Sequence, residues 1–429
     1  MIFVKKPQPV PHRKRVTTMS KRYNILISAN HCAPNKGSEH GVGWNFVSRL
    51  SEYHNITLIT NKHIYFNELT DAASELGIKV YGIKQYVKFK GLTKLFPFFY
   101  YTEYRWWQYR VYRKAKKLHT ELRFDLTHQI TNITFREPGY LWKLNIHFVW
   151  GPVVVLGNEK PKFLNMYGFS EGLKIILRHI SFKIQYSFSG CIKKALNVSS
   201  ACLPVCKNTL NLLHNLSTDT NFYIMPETAS IDENITDVIY NREQDEEIRL
   251  LWISRFDPSK GVMFLLQALN LLPDNIKYKL ILAGDGPQRN KAIAFCNKNN
   301  ISYEYLGSLP FDETQKLYAT AHLFFITSMM DATTSVLFES LSNGLPVVAL
   351  DHLSFGEKVD DSCGRKIKVG TPEQIVLDIA DTIKYYYTNE SSRRKASEGA
   401  VIRAKENSWN TRIRELNKLY AKILNTGTR

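Results

Sequence analysis

Short apolar runs that each break into a glycine- or hydroxyl-rich loop and then into a helical period occur in two series along this chain. That double alternation restricts the fold more than any other feature. In the first series NILISA (24–29), ITLIT (56–60), residues 126–129 and HFVW (147–150) have the length and composition of buried strands, and a helical period runs from about Val42 to Leu50. In the second, LWIS (251–254), KLILAG (279–284), YEYLG (303–307), HLFFITS (322–328) and LPVVAL (345–350) repeat the pattern. Strands that are apolar throughout are covered on both faces, as the helices of βαβ crossovers do. The expected fold class is α/β: two doubly wound parallel-sheet domains facing across a cleft, with ligands at the C-terminal ends of the strands.

The boundaries follow from where the pattern stops. Residues 1–22 are basic, contain proline and lack the apolar region of a signal peptide, so a disordered basic leader is expected there. Met19, just before the first strand, is a candidate initiator. Residues 23–225 make the first α/β domain and 248–407 the second. Between them, 226–247 is polar, acidic and without apolar period, as a linker would be. Residues 408–429 contain an amphipathic helix, Ser408–Leu424, expected to pack back toward the N-terminal domain.

Charge separates the halves. Residues 1–200 hold 31 Lys and Arg against 11 Asp and Glu, whereas residues 201–429 hold 26 against 28. A basic domain attracts anionic lipid, a diphosphate-bearing substrate or nucleic acid. Because the second half is nearly neutral, nucleic acid is disfavoured. Six scattered cysteines form no CxxC, and no His pair has zinc-ligand spacing, so no metal is expected and the compartment is read as reducing and cytoplasmic. No apolar run reaches the ~20 residues of a spanning helix.

The motif richest in chemistry is DATTSVLFESLSNGLPVV, from Asp331. A strand ends, a hydroxyl-rich loop follows, and a helix opens near Thr334 and closes at Asn343-Gly344. The free N–H groups of Ser335, Val336 and Leu337 at such a helix start form an anion site. Asp331 before the helix and Glu339 within it address different ends of one ligand. An ordinary strand–loop–helix with two solvated acids is the plainer alternative. Arg255 and Lys260 follow the first strand of the second domain, where two cations suit a diphosphate leaving group; a surface pair of Arg255 with Asp257 is the bland counterpart. Gly284 and Gly307 mark turns at two further strand ends, where backbone can approach a flat base.

In this order and spacing these elements resemble the family 4 retaining glycosyltransferases of GT-B fold, over most of residues 250–365. The family pattern E-G-F-G-x-x-x-x-E-A-M-A-x-G-x-P-V-V has its two acids where this chain has Asp331 and Glu339. The chain departs from it in carrying Asp for the first Glu and Ala-Thr-Thr for the glycine loop. The resemblance implies that Glu339 holds the ribose hydroxyls and Asp331 the transferred sugar. The backbone from Ser335 to Leu337 would cradle the phosphates, and Arg255 and Lys260 would grip the diphosphate. It also implies a nucleotide-sugar cosubstrate, no other cofactor, and a second domain that binds the nucleotide sugar while the first binds the acceptor.

In the first half, CAPNKGSEHGVGW (32–44) places Gly37, Ser38, Glu39, Gly41 and Gly43 between strand and helix, where backbone folds tightly near a phosphate or sugar. This loop, and W-G-P at 150–152, resemble polysaccharide-assembly members of the same family, with Glu159 the remaining matching acid after W-G-P. His128 closes a strand and is expected to face the donor sugar across the cleft, against the commoner structural role of a lone His. Residues 84–118 interleave ten Lys and Arg with aromatic residues and a single acid, Glu103. They are expected to bind an anionic membrane surface, placing the protein peripherally on the inner face of the cell membrane, beside a glycan or lipid-diphosphate-linked acceptor. A core helix with a solvated basic face is the other reading of that segment. For the chain as a whole, the alternatives to a transferase are a GT-B nucleotide-sugar epimerase and a non-catalytic sugar-nucleotide-binding module. The Asp–x7–Glu arrangement argues against the epimerase, and a transfer assay separates enzyme from binder.

Overall fold

The computed structural model describes residues 21–86, 97–156, 169–235 and 247–426. The expected leader falls almost wholly outside these residues, as do positions 236–246 of the linker and Glu159.

The first sheet comprises β1 (Asn24–Ala29), β2 (Asn55–Asn61), β3 (Lys79–Ile83), β4 (Leu126–Gln129), β5 (His147–Val153) and β6 (Ala201–Pro204), in the order β3-β2-β1-β4-β5-β6. All of its pairings are parallel. Its crossovers include helices α1 (Ser38–Leu50), α2 (Phe66–Glu75), α3 (Pro97–Leu122), α4 (Phe169–Ser187) and α5 (Gly190–Val198), with α6 (Lys207–His214) after β6. The second sheet repeats the topology with β7 (Ile248–Ile253), β8 (Tyr278–Ala283), β9 (Tyr303–Gly307), β10 (Leu323–Ile326), β11 (Val347–Leu350) and β12 (Gly364–Ile367), in the order β12-β11-β10-β7-β8-β9. The direction in which successive strands are added reverses between β1 and β4 and between β7 and β10. The loops after β1, β7 and β10 therefore open at the switch points, where a doubly wound sheet leaves a crevice.

Helices α7 (Val262–Leu269), α8 (Arg289–Lys298), α9 (Phe311–Thr320), α10 (Ser335–Ser342), α11 (Leu353–Lys358), α12 (Pro372–Thr388) and α13 (Glu390–Glu406) belong to the second domain. The last helix, α14 (Trp409–Asn425), lies against the first. Ser408 caps it by accepting from Thr411 N–H. Its apolar stripe of Trp409, Ile413, Leu416, Leu419, Tyr420 and Ile423 enters the core formed by β1, β2 and α1. The two chain crossings sit side by side: Ser230 N–H donates to Asn407 O at 3.0 Å, and Trp409 N–H to Ser230 O at 2.9 Å.

The apolar runs that read as strands lie in β1, β2, β4, β5 and β7–β11. Strands β3, β6 and β12 carry no comparable signal: KVYGI and GRKI are mixed runs at sheet edges, where one side escapes the continuous burial that makes a central strand legible, and ACLP, though buried, is only four residues long.

The basic–aromatic segment, expected to bind a membrane surface, is divided between the core and the outer face. Residues 87–96 lie outside the described ones. In α3, Tyr104, Trp107, Val111, Ala115 and Leu118 point into the core, so half of the aromatic and apolar signal is packing. Trp106, Tyr109 and most of the basic side chains form the outer face.

Candidate functional site

The loop from Thr327 to Thr334 leaves β10 at the switch point and delivers the chain into α10. Thr334 takes the N-cap position with extended backbone, and its hydroxyl is buried without a partner. The first N–H groups of the helix have no intrahelical acceptor by construction. At the other end Gly344 adopts φ 61°, and Leu345 N–H returns to Ser340 O at 2.9 Å, which closes the last turn and fixes the length of α10.

Across the cleft stands a second helix start. Gly37 precedes α1, and Ser38, Glu39 and Gly41 form its first turn. A side chain at Gly41 would drive Cβ into Lys36 O, so only glycine lets the loop fold onto the helix. An open pocket lies between the two starts. Gly37, Ser38 and Gly41 line it from one domain and Ser335 and Glu339 from the other. The pocket is thus bordered by two helix starts and the Glu339 carboxylate. Glu339 Oε2 accepts from the Tyr318 hydroxyl at 3.0 Å. Burial raises the Glu339 carboxyl above its ordinary range, and Ser335, Tyr318 and Gln315 pull it back. On the first domain's side, Glu39 Oε2 lies 3.0 Å from His31 Nδ1, in a cluster where the rings of His31, His40 and His63 meet edge-on.

Lys260 and Asp331 come together outside that pocket. The turn carrying Lys260 is tied to the end of β10, because Thr327 Oγ1 donates to Lys260 O at 2.7 Å and receives Trp252 Nε1–H at 3.1 Å. A Cβ at Gly261 would lie 2.5 Å from Thr327 O, so the Lys-Gly pair is needed for this closeness. The Lys260 ammonium then pairs with Asp331 Oδ2, both side chains being about one-fifth exposed. Arg255 is 73% exposed, with Nε 3.0 Å from Asp257 Oδ2, which is the surface pair the sequence offers as its plainer reading. Gly284 and Gly307 join one another, Gly284 N–H donating to Gly307 O at 2.7 Å, beside the loop that carries Arg255. Val336 and Leu337 contribute backbone; the Leu337 side chain is core.

His128 is elsewhere. Rather than facing the cleft, it is fully buried, with Nδ1 2.5 Å from the Tyr420 hydroxyl and Nε2 2.7 Å from Gly151 O. Burial lowers it to about 4, so the ring is neutral and joins α14 to the first sheet. Its place at a strand end says nothing about which face of the sheet it points to, and that face is the one α14 covers.

The acidic composition of the linker hides Glu227 in the sequence. It is 9% exposed, lies beside Thr333, and is within electrostatic reach of Asp331 and Arg412. Burial raises its carboxyl. Arg412, on α14, is 5% exposed and donates from Nη1 to Thr228 O. A buried acid and a buried cation thus lie within electrostatic reach of one another where both crossings pass between the domains. The one local signal is Pro226-Glu227, an acid immediately after a proline at the domain exit.

Comparisons with known proteins bear on the fold and the class of protein. Residues 236–401 match the family model described as Glycosyl transferases group 1. An uncharacterized glycosyltransferase of Methanocaldococcus jannaschii is 28% identical over 205 residues, covering 45% of this chain and 56% of that protein. O-antigen chain mannosyltransferase B of Escherichia coli is 28% identical over 164 residues, covering 37% and 42%. The chain spans about half the length of these curated relatives or less. Among solved structures, sucrose-phosphate synthase from Thermosynechococcus elongatus superposes with a TM-score of 0.65 at 14% identity, over 95% of this chain and 100% of that one. HepE of Anabaena, solved with UDP and glucose, superposes with 0.60 at 14%, over 94% and 100%. The chain thus has the GT-B fold, and residues 236–401 resemble the group 1 glycosyl transferases.

Proposed function

We propose that this protein is a glycosyltransferase that moves a sugar from a nucleotide-diphosphate donor to a glycan or lipid-diphosphate-linked acceptor in polysaccharide biosynthesis, with retention of configuration. The observation that carries the reading is the pocket between the starts of α1 and α10, with Glu339 on its wall. Backbone N–H groups from two helices suit a diphosphate, and a carboxylate suits the two hydroxyls of a ribose. Lys260, paired with Asp331, is the cation for charge that grows on the leaving diphosphate; Asp331 then turns to the transferred sugar. Arg255, exposed at the rim, adds a second cation as the domains close. In a front-face displacement the bond from the anomeric carbon to the diphosphate breaks as the acceptor oxygen bonds to the same face. The departing phosphate oxygen takes the acceptor's proton. The names of relatives support this substrate class: one is an O-antigen chain mannosyltransferase, and a Campylobacter jejuni relative is an N-acetylgalactosaminyltransferase acting on a diphospho-undecaprenol-linked glycan. Such an acceptor would hold the protein at the inner face of the cell membrane, with the basic first domain toward the anionic lipid.

The test is a thermal-shift screen against UDP-, GDP- and ADP-sugars, followed by transfer of labelled sugar from the donor that binds. A ligand at 100 times its Kd should stabilise the fold by about 2.7 kcal/mol. Lys260→Ala should then lower kcat/KM by about 10²–10³-fold. Donor binding without transfer or hydrolysis would leave a binding module instead.

A further inference from the structure

Helix α4 is apolar on two opposite faces. One face holds Phe182 and Tyr186, whose rings lie 5.8 and 6.3 Å from that of Phe135, and Phe182 belongs to the core of the first domain. The other holds Leu173, Ile176, Leu177, Ile180 and Ile184, between 42% and 57% exposed, and Phe188 just past the helix is 85% exposed. At about 100° per residue these helical positions gather into one stripe on the side away from Phe182. Single exposed aliphatic residues need no explanation, but large ones aligned along most of one helix form a contiguous patch of the kind that marks an interaction surface.

We propose that this stripe docks the protein onto an anionic lipid bilayer, with α4 lying in the headgroup plane and its five aliphatic side chains and Phe188 below it. The inference rests on the membrane-facing part of the function proposed above and names the element responsible. Charge decides the occupant. The stripe lies within the half of the chain that has 31 Lys and Arg against 11 Asp and Glu. Lys183 on α4 and Lys193 and Lys194 on α5 are exposed beside it. Lys194, Lys143, Arg105 and the acid Glu137 all lie within electrostatic reach of Cys191 at the start of α5, and Arg105 pairs with Glu137 at 2.8 Å. There Lys143 sits 5.0 Å over the Tyr140 ring, Tyr140 meets Tyr109 edge-on, and Tyr109 stacks on Trp106. An apolar stripe with an exposed lysine beside it, on a strongly basic half of the chain, has the composition of an interfacial helix. Among the described residues no helix is long and apolar enough to cross a membrane, so the contact is made from one side.

The experiment is co-sedimentation of the full chain with phosphatidylcholine vesicles with and without phosphatidylglycerol. Wild type, Ile180→Asp/Ile184→Asp, the milder Ile180→Ser/Ile184→Ser and Leu377→Asp, an exposed position of the second domain, are compared. The proposal expects wild type and Leu377→Asp to bind the anionic vesicles alike, and the double aspartate variant at least tenfold more weakly, with the serine variant between. The Phe188→Trp variant should show a blue shift in emission, relative to wild type, when anionic vesicles are added. The nucleotide-sugar thermal shift is measured on every variant, and it should be unchanged. Wild-type binding that both double variants retain, or an emission from the Phe188→Trp variant that moves no more than that of wild type, overturns the role of α4 and leaves the transferase reading standing. Absence of any vesicle binding also overturns it, and light scattering showing a wild-type dimer that the double variants break would then give the stripe to self-association.

Discussion

Arg412→Met tests whether the buried charges between the domains hold the chain together. The side chain is 5% exposed, donates to Thr228 O, stands 5.6 and 5.8 Å over the rings of Trp409 and Phe338, and faces Glu227. Methionine keeps most of the volume and removes the charge. Removing the cation leaves Thr228 O without this donor and Glu227 buried without a neighbouring positive charge, which costs about 1–3 kcal/mol. Spread over an unfolding entropy of about 2.1 cal/mol/K per residue, that lowers Tm by roughly 1–3 °C for a chain this long. Glu227 offers a way out, since it can take up a proton. Its carboxyl, already raised by burial, rises further without the cation. A carboxyl whose folded pKa exceeds its unfolded one binds more protons when folded, so its folded state loses stability as pH rises through that window. The variant's deficit relative to wild type should therefore be larger at pH 8 than at pH 5, and Arg412→Met/Glu227→Gln should recover about 1–2 kcal/mol. Urea unfolding of wild type, the two single variants and the double variant at both pH values reads each quantity. An Arg412→Met deficit below about 1 kcal/mol, or one independent of pH, would refute a charge-paired interface.

Two further predictions concern the site and the core. Glu339→Ala should weaken both UDP and the UDP-sugar, or whichever nucleotide the screen selects, by about 10–100-fold, the worth of hydrogen bonds to a charged group, while Asp331→Ala should weaken mainly the sugar donor. Calorimetry finding both variants equally impaired for the nucleotide diphosphate alone would end that division of labour. His128 and His54 are held near 4 by burial. Because their folded pKa lies below the ordinary 6.5, the unfolded chain binds the extra protons, and their stability contribution is present above about pH 6.5 and lost as pH falls toward 4. His128→Gln should flatten that fall by about 1–2 kcal/mol, which denaturant midpoints between pH 7 and 5 would detect.

What can be read from the residues in order is whatever depends on local pattern. Central strands are apolar throughout because both faces are covered, so β1, β2, β4, β5 and most strands of the second sheet declare themselves, while edge strands such as KVYGI and GRKI do not. The loop and helix from Asp331 to Gly344 are legible because a cap, a helical period and a glycine stop are all local. The short reach from Lys260 to Asp331 is not, since 71 residues separate them and only the parallel pairing of β7 with β10 sets them side by side. The same limit explains His128 and Glu227. A strand end looks the same from either face, and only the return of α14 decides that His128 meets Tyr420 in the core instead of a ligand in the cleft. An acidic linker reads as solvated until two chain crossings are packed together, and then one of its carboxylates is buried beside Arg412. Local sequence determines period, caps and turns because those are settled within a few residues. Which polar groups are buried, and against what, is settled by contacts that exist only after the sheets have formed and the last helix has crossed back.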